Sequence, residues 1–231
     1  MTTRKRAHSR NSSSSARGYH HGNLRQALIE ATIRLIEAEG LESVSVREVA
    51  RMAGVSPGAP FTHFPSRIAL LTAVAEEAMD RLNEEIVQTV QAEVGGDPLR
   101  RFRAIGLGFL RWAVRNPTHF QVISTRSVID FEGSSLRRRN DEIRTRMDAL
   151  MTEAAEAGLL RPGDPRHYLI GARALAYGLA RMYVDGQFPS WDLPETDALP
   201  ACEAIFDQFI ASIGSGRRPK DRSDNVTVRK A

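Results

Sequence analysis

Residues 45–67 read SVREVARMAGVSPGAPFTHFPSR, and this stretch predicts two short helices joined by a tight turn. The first begins with Ser45 followed three residues later by Glu48, which is the spacing of a capping box. Gly54 supplies the positive φ of the bend, because glycine adopts that conformation at little steric cost. In the second, Ser56 is the expected side-chain cap and Pro57 takes the first helical position. The stretch is therefore predicted to be a helix-turn-helix, whose second helix fits the major groove of DNA.

The flanking sequence supplies the rest of a small helical domain. A helix is expected from about Asn23 to Glu39, ended by Gly40, and its apolar stripe should form the third side of a three-helix core. The residues expected to pack against that stripe are Val46, Val49, Val55, Phe61 and Phe64. A long helix is expected to follow from Arg67 to about Val94.

Pro60 is an unusual residue inside the second helix of the motif. It occupies the fourth helical position, where its missing N–H would have bonded to the carbonyl of Ser56. We therefore expect the second helix to start slightly loosened.

The remainder of the chain reads as helices separated by short breaks. The predicted fold is all-α, with an N-terminal three-helix helix-turn-helix domain over 22–66 and a second helical domain over 67–213. Residues 1–21 and 214–231 are polar and basic and are expected to be disordered. The helices expected in the second domain after the first long one span about 98–116, 118–128, 136–158, 164–185 and 196–213.

Composition limits the class of protein. The chain has 231 residues, 42% of them hydrophobic, which suffices for one or two folded domains. Its single cysteine, Cys202, cannot form an internal disulfide, so a reducing, cytoplasmic setting is expected. The adjacent His20 and His21 lack further ligands at metal-binding spacing, and neither a metal nor another cofactor is predicted. We expect no signal peptide, membrane helix or membrane partner, since no apolar run approaches about 18 residues.

The net charge of +4 hides an asymmetry along the chain. Residues 1–67 hold ten basic and five acidic residues, giving +5, and residues 68–213 hold sixteen against twenty-one, giving −5. The tail from Gly214 holds six against two, giving +4. A positive N-terminal third suits contact with phosphates, whereas the acidic middle should face away from DNA. A simply solvated charge bias, and idle solubilising tails, are the alternatives.

Three strings carry a resemblance to a known family. They are GYHHGNLRQALIEAT at 18–32, EGLESVSVREVARMAGVSP at 39–57 and APFTHFPSRIALL at 59–71. Together they resemble the DNA-binding domain of the TetR family of bacterial regulators. At the position of Phe61 the family usually has a tyrosine, and the hydroxyl of that tyrosine commonly contacts a DNA phosphate. Because phenylalanine has no hydroxyl, this one contact with the DNA backbone is expected to be missing.

The resemblance implies which residues face DNA. The implied DNA-binding residues are Ser45, Arg47, Ser56, Pro57, Gly58, Ala59, Phe61, Thr62, His63 and Arg67. Base reading would rest on Thr62, Arg47 and apolar contact with thymine methyl groups, because Pro57, Gly58 and Ala59 are small and weakly polar. For Arg67, a solvated surface charge is the alternative to a phosphate contact.

The resemblance also implies a ligand-binding and dimerisation role for the second domain. The implied ligand-binding residues are Phe102, Phe109, Trp112, His119, Phe120, Arg126, Met147, Met151 and Tyr177. Ordinary core packing is the alternative for each apolar member, and Arg173 and Arg181 are two further polar groups that could orient an unknown small-molecule effector. The segment ALAYGLA at 174–180 resembles the Trp-His-Gly segment of one subgroup of these domains, with Ala176 and Tyr177 in place of Trp and His.

The last two helices are expected to form a homodimer interface. Small residues permit close approach on the first of them, and large apolar residues lie on the second. The expected members are Gly171, Ala172, Ala174, Leu175, Ala176, Gly178, Leu179, Ala180, Met182, Ile205, Phe206, Phe209 and Ile210. Packing within one domain is the alternative interpretation of this pattern.

The sequence thus predicts a homodimeric, ligand-released repressor that binds a roughly palindromic double-stranded DNA operator. Catalysis is not expected, because the chain lacks phosphate-loop, metalloprotease and nucleophile-elbow motifs. The alternative is a non-specific architectural DNA-binding protein, which the two basic tails would suit.

Overall fold

The computed structural model describes residues 20–93 and 95–216, and for residues 20–23 it describes the backbone only. The predicted basic arm at 1–21, apart from the backbone of its last two residues, and the predicted tail beyond 216 lie outside the described residues. The described chain divides into two compact units, with the boundary between Leu70 and Leu71. The eight α-helices of the described ranges are α1 (His20–Glu39), α2 (Val46–Met52), α3 (Arg67–Ala92), α4 (Pro98–Arg115), α5 (Pro117–Ser124), α6 (Ser135–Glu156), α7 (Pro165–Val184) and α8 (Glu195–Ile213). The all-α prediction is confirmed.

The first unit is built from α1, α2 and the first residues of α3. Gly40 ends α1 with φ +86°, and a short 3₁₀ turn at Leu41–Ser43 leads into α2. The Oγ of Ser45 accepts from the N–H of Glu48 at 3.1 Å, so the predicted cap of α2 is confirmed. The core of this unit is formed by Leu28, Ile29, Leu35, Val44, Val46, Val49, Ala50 and Phe64, all of which are buried.

The predicted α-helix after the turn is wrong. Residues Ala59–Thr62 form a 3₁₀ helix, and the side chain of Ser56 does not cap it. Pro60 gives the physical reason, because it has no N–H to donate to the carbonyl of Ser56. That carbonyl accepts instead from Ala59 at 3.0 Å, which is the tighter i to i+3 spacing. Phe61, expected in the core, is 49% exposed, and Pro60 is buried in its place.

The second unit is a bundle in which α4 packs against α6, α7 and α8. Its first complete helix, α4, is capped at its start, since the Asp97 carboxylate accepts from the N–H of Arg100 at 2.9 Å. Gly106 lets α4 approach α8, because a Cβ there would collide with the Phe206 ring. Gly108 likewise lies against the backbone of Ile86 on α3. The central buried side chains are Phe102, Leu110, Trp112, Phe120, Leu136, Met151 and Phe206.

The end of α8 is fixed to the connection between α6 and α7. The N–H of Arg161 donates to the carbonyl of Ile213 at 2.9 Å, and the N–H of Ser215 donates to that of Leu159 at 2.8 Å. These bonds form one isolated antiparallel bridge, and the described residues contain no longer β-strand. The bridge holds the last helix in register within the bundle.

Candidate functional site

The first unit exposes most of the residues that the sequence assigns to DNA. Ser45 and Arg47 are exposed at the start of α2, and Phe61 and Thr62 are exposed on the 3₁₀ helix after the turn. Ser56, Pro57 and Gly58 are also exposed, whereas Ala59 and His63 are partly covered. This arrangement leaves polar and apolar side chains available to a partner that docks beside the turn.

The hydroxyl group of Thr62 already donates one hydrogen bond within the protein. Its Oγ1–H donates to the carbonyl of Ala59 at 2.8 Å, within its own 3₁₀ helix. The residue is exposed, and the hydroxyl oxygen keeps lone pairs that can accept. Thr62 can therefore accept a hydrogen bond from a base edge or touch a thymine methyl group.

Arg67 is occupied within the first unit. Its Nε donates to the carbonyl of Val44 at 2.9 Å, and its Nη2 donates to the carbonyl of Leu41, also at 2.9 Å. The side chain is about one-third exposed, and Glu42 lies 3.8 Å from Nη2. The sequence predicted either a phosphate contact or a solvated charge for Arg67. In the structure its guanidinium instead bonds the connection between α1 and α2, and we call this contact a clamp.

The second unit contains a partly open cavity of about 300 Å³. It is lined by residues of all six helices α3 to α8, together with Arg126 and Phe131 from the segment between α5 and α6. Of the residues predicted to bind a ligand, the cavity wall includes Phe102, Phe109, Trp112, Phe120, Arg126, Met147 and Tyr177. The structure therefore brings together seven of the nine.

Aromatic rings form one wall of this cavity. The ring centroids of Phe109 and Trp112 are 6.0 Å apart, and Phe120 lies 6.1 Å from Phe109 and 6.2 Å from Trp112. Tyr177 continues the cluster at 5.6 Å from Phe120. Tilted and edge-to-face pairs at these distances are favourable, so the wall is rigid and apolar.

His119 and Met151 were predicted to line the cavity and do not. His119 is buried, and its Nε2 lies 3.6 Å from Oε1 of Glu77 on α3. Met151 is buried in the core. The lining also includes Met79, Leu82 and Ile86 of α3 and Asn140 and Ile143 of α6, which were not among the predicted ligand-binding residues. Leu82, Ile86 and Ile143 have the apolar spacing of an inward helix face, but spacing alone does not separate a core face from a cavity wall.

The small-residue surface predicted for dimerisation is divided by the structure. On α7, Ala172, Ala176, Leu179 and Ala180 are buried inside the unit, and on α8 Phe206 and Ile210 are buried too. The exposed apolar residues of these two helices include Ile170, Ala174, Tyr177 and Ile205. The surface available to a second copy is therefore narrower than the predicted one.

Among the residues that the structure describes, no helix is long and apolar enough to cross a membrane. Among the same residues, His, Cys, Asp and Glu do not cluster in groups of three or more that could hold a metal ion.

Comparison with known proteins gives relatives for both units. The family described as "Bacterial regulatory proteins, tetR family" matches residues 28–74, and that described as "Tetracyclin repressor-like, C-terminal domain" matches residues 102–211. The nucleoid occlusion factor SlmA of Edwardsiella ictaluri is 26% identical over 190 residues, which cover 78% of this chain and 94% of that protein. SlmA of Vibrio cholerae is 27% identical over 194 residues, which cover 84% of this chain and 95% of that protein.

Solved structures show the same fold. A protein of unknown function from Rhodococcus sp. RHA1 has a TM-score of 0.67 and 27% identity, covering 85% of this chain and 98% of that one. The TetR family transcriptional regulator PfmR from Thermus thermophilus has a TM-score of 0.65 and 18% identity, covering 80% of this chain and 97% of that one. The two family matches lie on the turn-containing unit and on the unit that holds the cavity, and this chain belongs to the TetR family of DNA-binding regulators.

Proposed function

We propose that the chain is a homodimeric transcriptional repressor that a small molecule releases from a roughly palindromic DNA operator. The observation that carries the proposal is that the candidate DNA-binding residues lie in one unit and the cavity lies in the other. One exposes Arg47, Phe61 and Thr62 beside the turn, and the other contains a cavity of about 300 Å³. Cavities of this size accept small organic ligands.

The DNA-facing residues proposed are those that the sequence assigned, except Arg67. Arg47 and Thr62 supply polar contacts to base edges, and Phe61 supplies apolar contact with thymine methyl groups. Ser45, Ser56, Pro57, Gly58, Ala59 and His63 frame this surface. A phosphate contact is not the main role proposed for Arg67, since its guanidinium already bonds two backbone carbonyls.

The proposed link between ligand and DNA is helix α3. This single helix carries Arg67, which clamps the connection between α1 and α2, and also carries Met79, Leu82 and Ile86 of the cavity wall. A ligand that binds one position of α3 better than another shifts the population of DNA-binding states. The free-energy difference between those two bound forms limits how strongly the ligand can release DNA.

Dimerisation is proposed through α7 and α8. Ile170, Tyr177 and Ile205 are exposed apolar residues on these helices, and Ala174 leaves room for a partner helix to approach. A two-fold dimer presents two copies of the turn to DNA, which suits half-sites about one helical turn apart. The protein would act in the bacterial cytoplasm, bound to the chromosome.

A second candidate function comes from the relatives. Proteins named nucleoid occlusion factor align with most of this chain at 26–27% identity. For this chain, that second function would require DNA binding but no release by a small molecule. The non-specific architectural role is the extreme form of this alternative.

A reporter experiment distinguishes these functions. A bound sequence obtained from a random DNA library is placed between a promoter and a reporter gene in a heterologous bacterium. A repressor lowers reporter output only when that sequence is intact, and a small molecule restores the output. If a range of compounds that bind the purified protein leave DNA binding unchanged, the ligand-released function is wrong and the chromosome-factor function gains support.

A further inference from the structure

The charged groups that line the cavity are both cationic. Arg126 enters from the segment after α5 and Arg173 from α7, and among the described lining residues there is no Asp or Glu. An arginine side chain stays protonated throughout the physiological pH range. Two positive charges and no negative one therefore lie on the lining, and both side chains also reach solvent, since Arg126 and Arg173 are exposed.

Among the described residues, neither arginine forms an ion pair with a carboxylate. Elsewhere in the same unit, Arg103 pairs with Asp207 and Arg111 with Glu203, each at 2.6 Å. Within the residues described, Arg126 and Arg173 make no ion pair of this kind. The Cζ of Arg126 lies 3.1 Å above the Phe131 ring, and Nη2 of Arg173 donates to the neutral amide oxygen of Asn140 at 3.3 Å.

The two guanidinium groups also act on each other. Burial lowers the pKa of Arg126, and the positive charge of Arg173 lowers it further, while Glu132 and Tyr177 act in the opposite direction. Like charges that share a site are each destabilised, and an anion bound between them would offset that cost. A guanidinium can also donate two parallel hydrogen bonds to one carboxylate.

Most of the remaining lining is apolar. Phe102, Phe109, Phe120 and Ile143 contribute apolar surface. The other polar side chains of the lining are Ser124 and Asn140. The side-chain amide of Asn140 carries N–H groups that can donate to a ligand with acceptors.

We propose that the cavity binds an amphipathic monocarboxylate, with its apolar body against the aromatic wall and its carboxylate at Arg126 and Arg173. This inference rests on the proposed function only in taking the cavity as the effector site. It adds the chemical class of the effector: an alkyl or aryl acid, and not a cation or an uncharged compound of the same shape.

The test uses matched pairs of probes on the full-length protein free of DNA. Decanoate is compared with 1-decanol, and 2-naphthoate with 2-naphthol, by titration calorimetry at pH 7.5. For the decanoate pair, Trp112 fluorescence in a Trp191→Phe background is a second readout. The variants are Arg126→Gln and Arg173→Gln. The matched control is Arg144→Gln, which removes an exposed arginine of α6 that is paired with Asp141 and does not line the cavity.

We expect at least one carboxylate to bind about tenfold or more tightly than its alcohol. Each cavity variant should lower that affinity about tenfold, leave the alcohol unaffected and keep the wild-type melting temperature, while Arg144→Gln changes neither. Equal affinity for acid and alcohol in both pairs would overturn the inference. So would loss of carboxylate binding in Arg144→Gln to the same extent as in the cavity variants.

Release of operator DNA is measured separately, so that the two proposals fail in different ways. A carboxylate that binds through both arginines without releasing DNA supports the ligand class and contradicts the ligand-released function. Release of DNA by an uncharged or cationic compound, with no carboxylate binding, supports the function and contradicts the ligand class.

Discussion

Arg67 in the first unit stabilises the fold, although its charge suggested a contact with a DNA phosphate. Arg67 begins α3, and its guanidinium bonds the carbonyls of Leu41 and Val44 in the connection between α1 and α2. Those carbonyls lie outside regular α-helix; that of Leu41 also accepts from the N–H of Val44 at 3.3 Å, and Arg67 adds a charged donor to each. Bonds from a charged donor to such carbonyls stabilise more than neutral bonds do.

We therefore expect Arg67→Ala to destabilise the DNA-free protein by about 1–3 kcal/mol, because two backbone acceptors lose a charged donor. Thermal unfolding followed by circular dichroism measures this. Arg51→Ala is the control, since Arg51 makes only an exposed pair with Glu48, a kind of contact that adds little to stability. Equal melting temperatures for Arg67→Ala and wild type would contradict the stabilising role and leave only a contact with DNA for Arg67.

Thr62 gives the corresponding prediction for base reading. Thr62→Ala removes the exposed acceptor oxygen and should reduce binding to the preferred sequence about tenfold, while binding to random DNA changes little. Thr62→Ser keeps the hydroxyl and should retain more of the preference. Fluorescence anisotropy with both duplexes at one salt concentration gives the comparison, and equal losses on the two would exclude Thr62 from sequence discrimination.

At the scale of elements, helix ends were predictable from sequence because their causes are local. The cap of α2 by Ser45 and the stop of α1 at Gly40 each depend on a few neighbouring residues. The segment after the turn was predicted as an α-helix and is a 3₁₀ helix. Pro60 signalled a loosened start, but its burial is a tertiary effect that places Phe61 outside, and no local pattern reveals that exchange.

The same limit applies to α7 and to the cavity. Small residues at Ala172, Ala174 and Ala176 predicted one contact surface, yet the first and third are buried within the unit and the second is exposed. The aromatic lining was predicted from the resemblance to the TetR family, whose second domain holds a ligand pocket. The contribution of α3 to the cavity wall was not predicted. Helices distant in sequence decide whether an inward face packs against side chains or lines a cavity.

Helix α8 carries a chemical reporter of its packing. Burial raises the pKa of the Cys202 thiol from 9.0 to about 11, with a smaller contribution from the charge of Glu203. The group is neutral when protonated, so its contribution to stability is complete below pH 9 and is lost as pH rises from about 9 to about 11.

At pH 8 the thiolate population in the folded protein should be about a hundredfold lower than in the unfolded chain, as the two pKa values require. Alkylation by iodoacetamide, followed by mass spectrometry, should therefore be about a hundredfold or more slower in native protein than in guanidinium. Rates within tenfold of each other would show that α8 opens readily.

On the scale of the whole molecule, a repressor of palindromic DNA needs two copies of the chain. The exposed apolar residues of α7 and α8 are the surface that we assign to this contact. Ile205 is 38% exposed on α8, whereas Ile68 is 48% exposed on α3 in the first unit.

Ile205→Glu should weaken the dimer about tenfold or more, because it places a charge in an apolar contact that would exclude water. Ile68→Glu introduces the same charge at a comparably exposed isoleucine and should leave the dimer intact. Sedimentation equilibrium of the DNA-free protein gives both association constants. Similar values for the two variants would move the interface away from α8.

In the proposed repressor, two copies of the turn-containing unit read one palindromic sequence. Selection of bound duplexes from a random library by the purified protein at near-physiological salt tests it without knowledge of any target. We expect enrichment of an inverted repeat with half-sites about one helical turn apart, bound about a thousandfold or more above random DNA. Binding that enriches no sequence and vanishes as salt rises would contradict the claim and identify a non-specific DNA-binding protein.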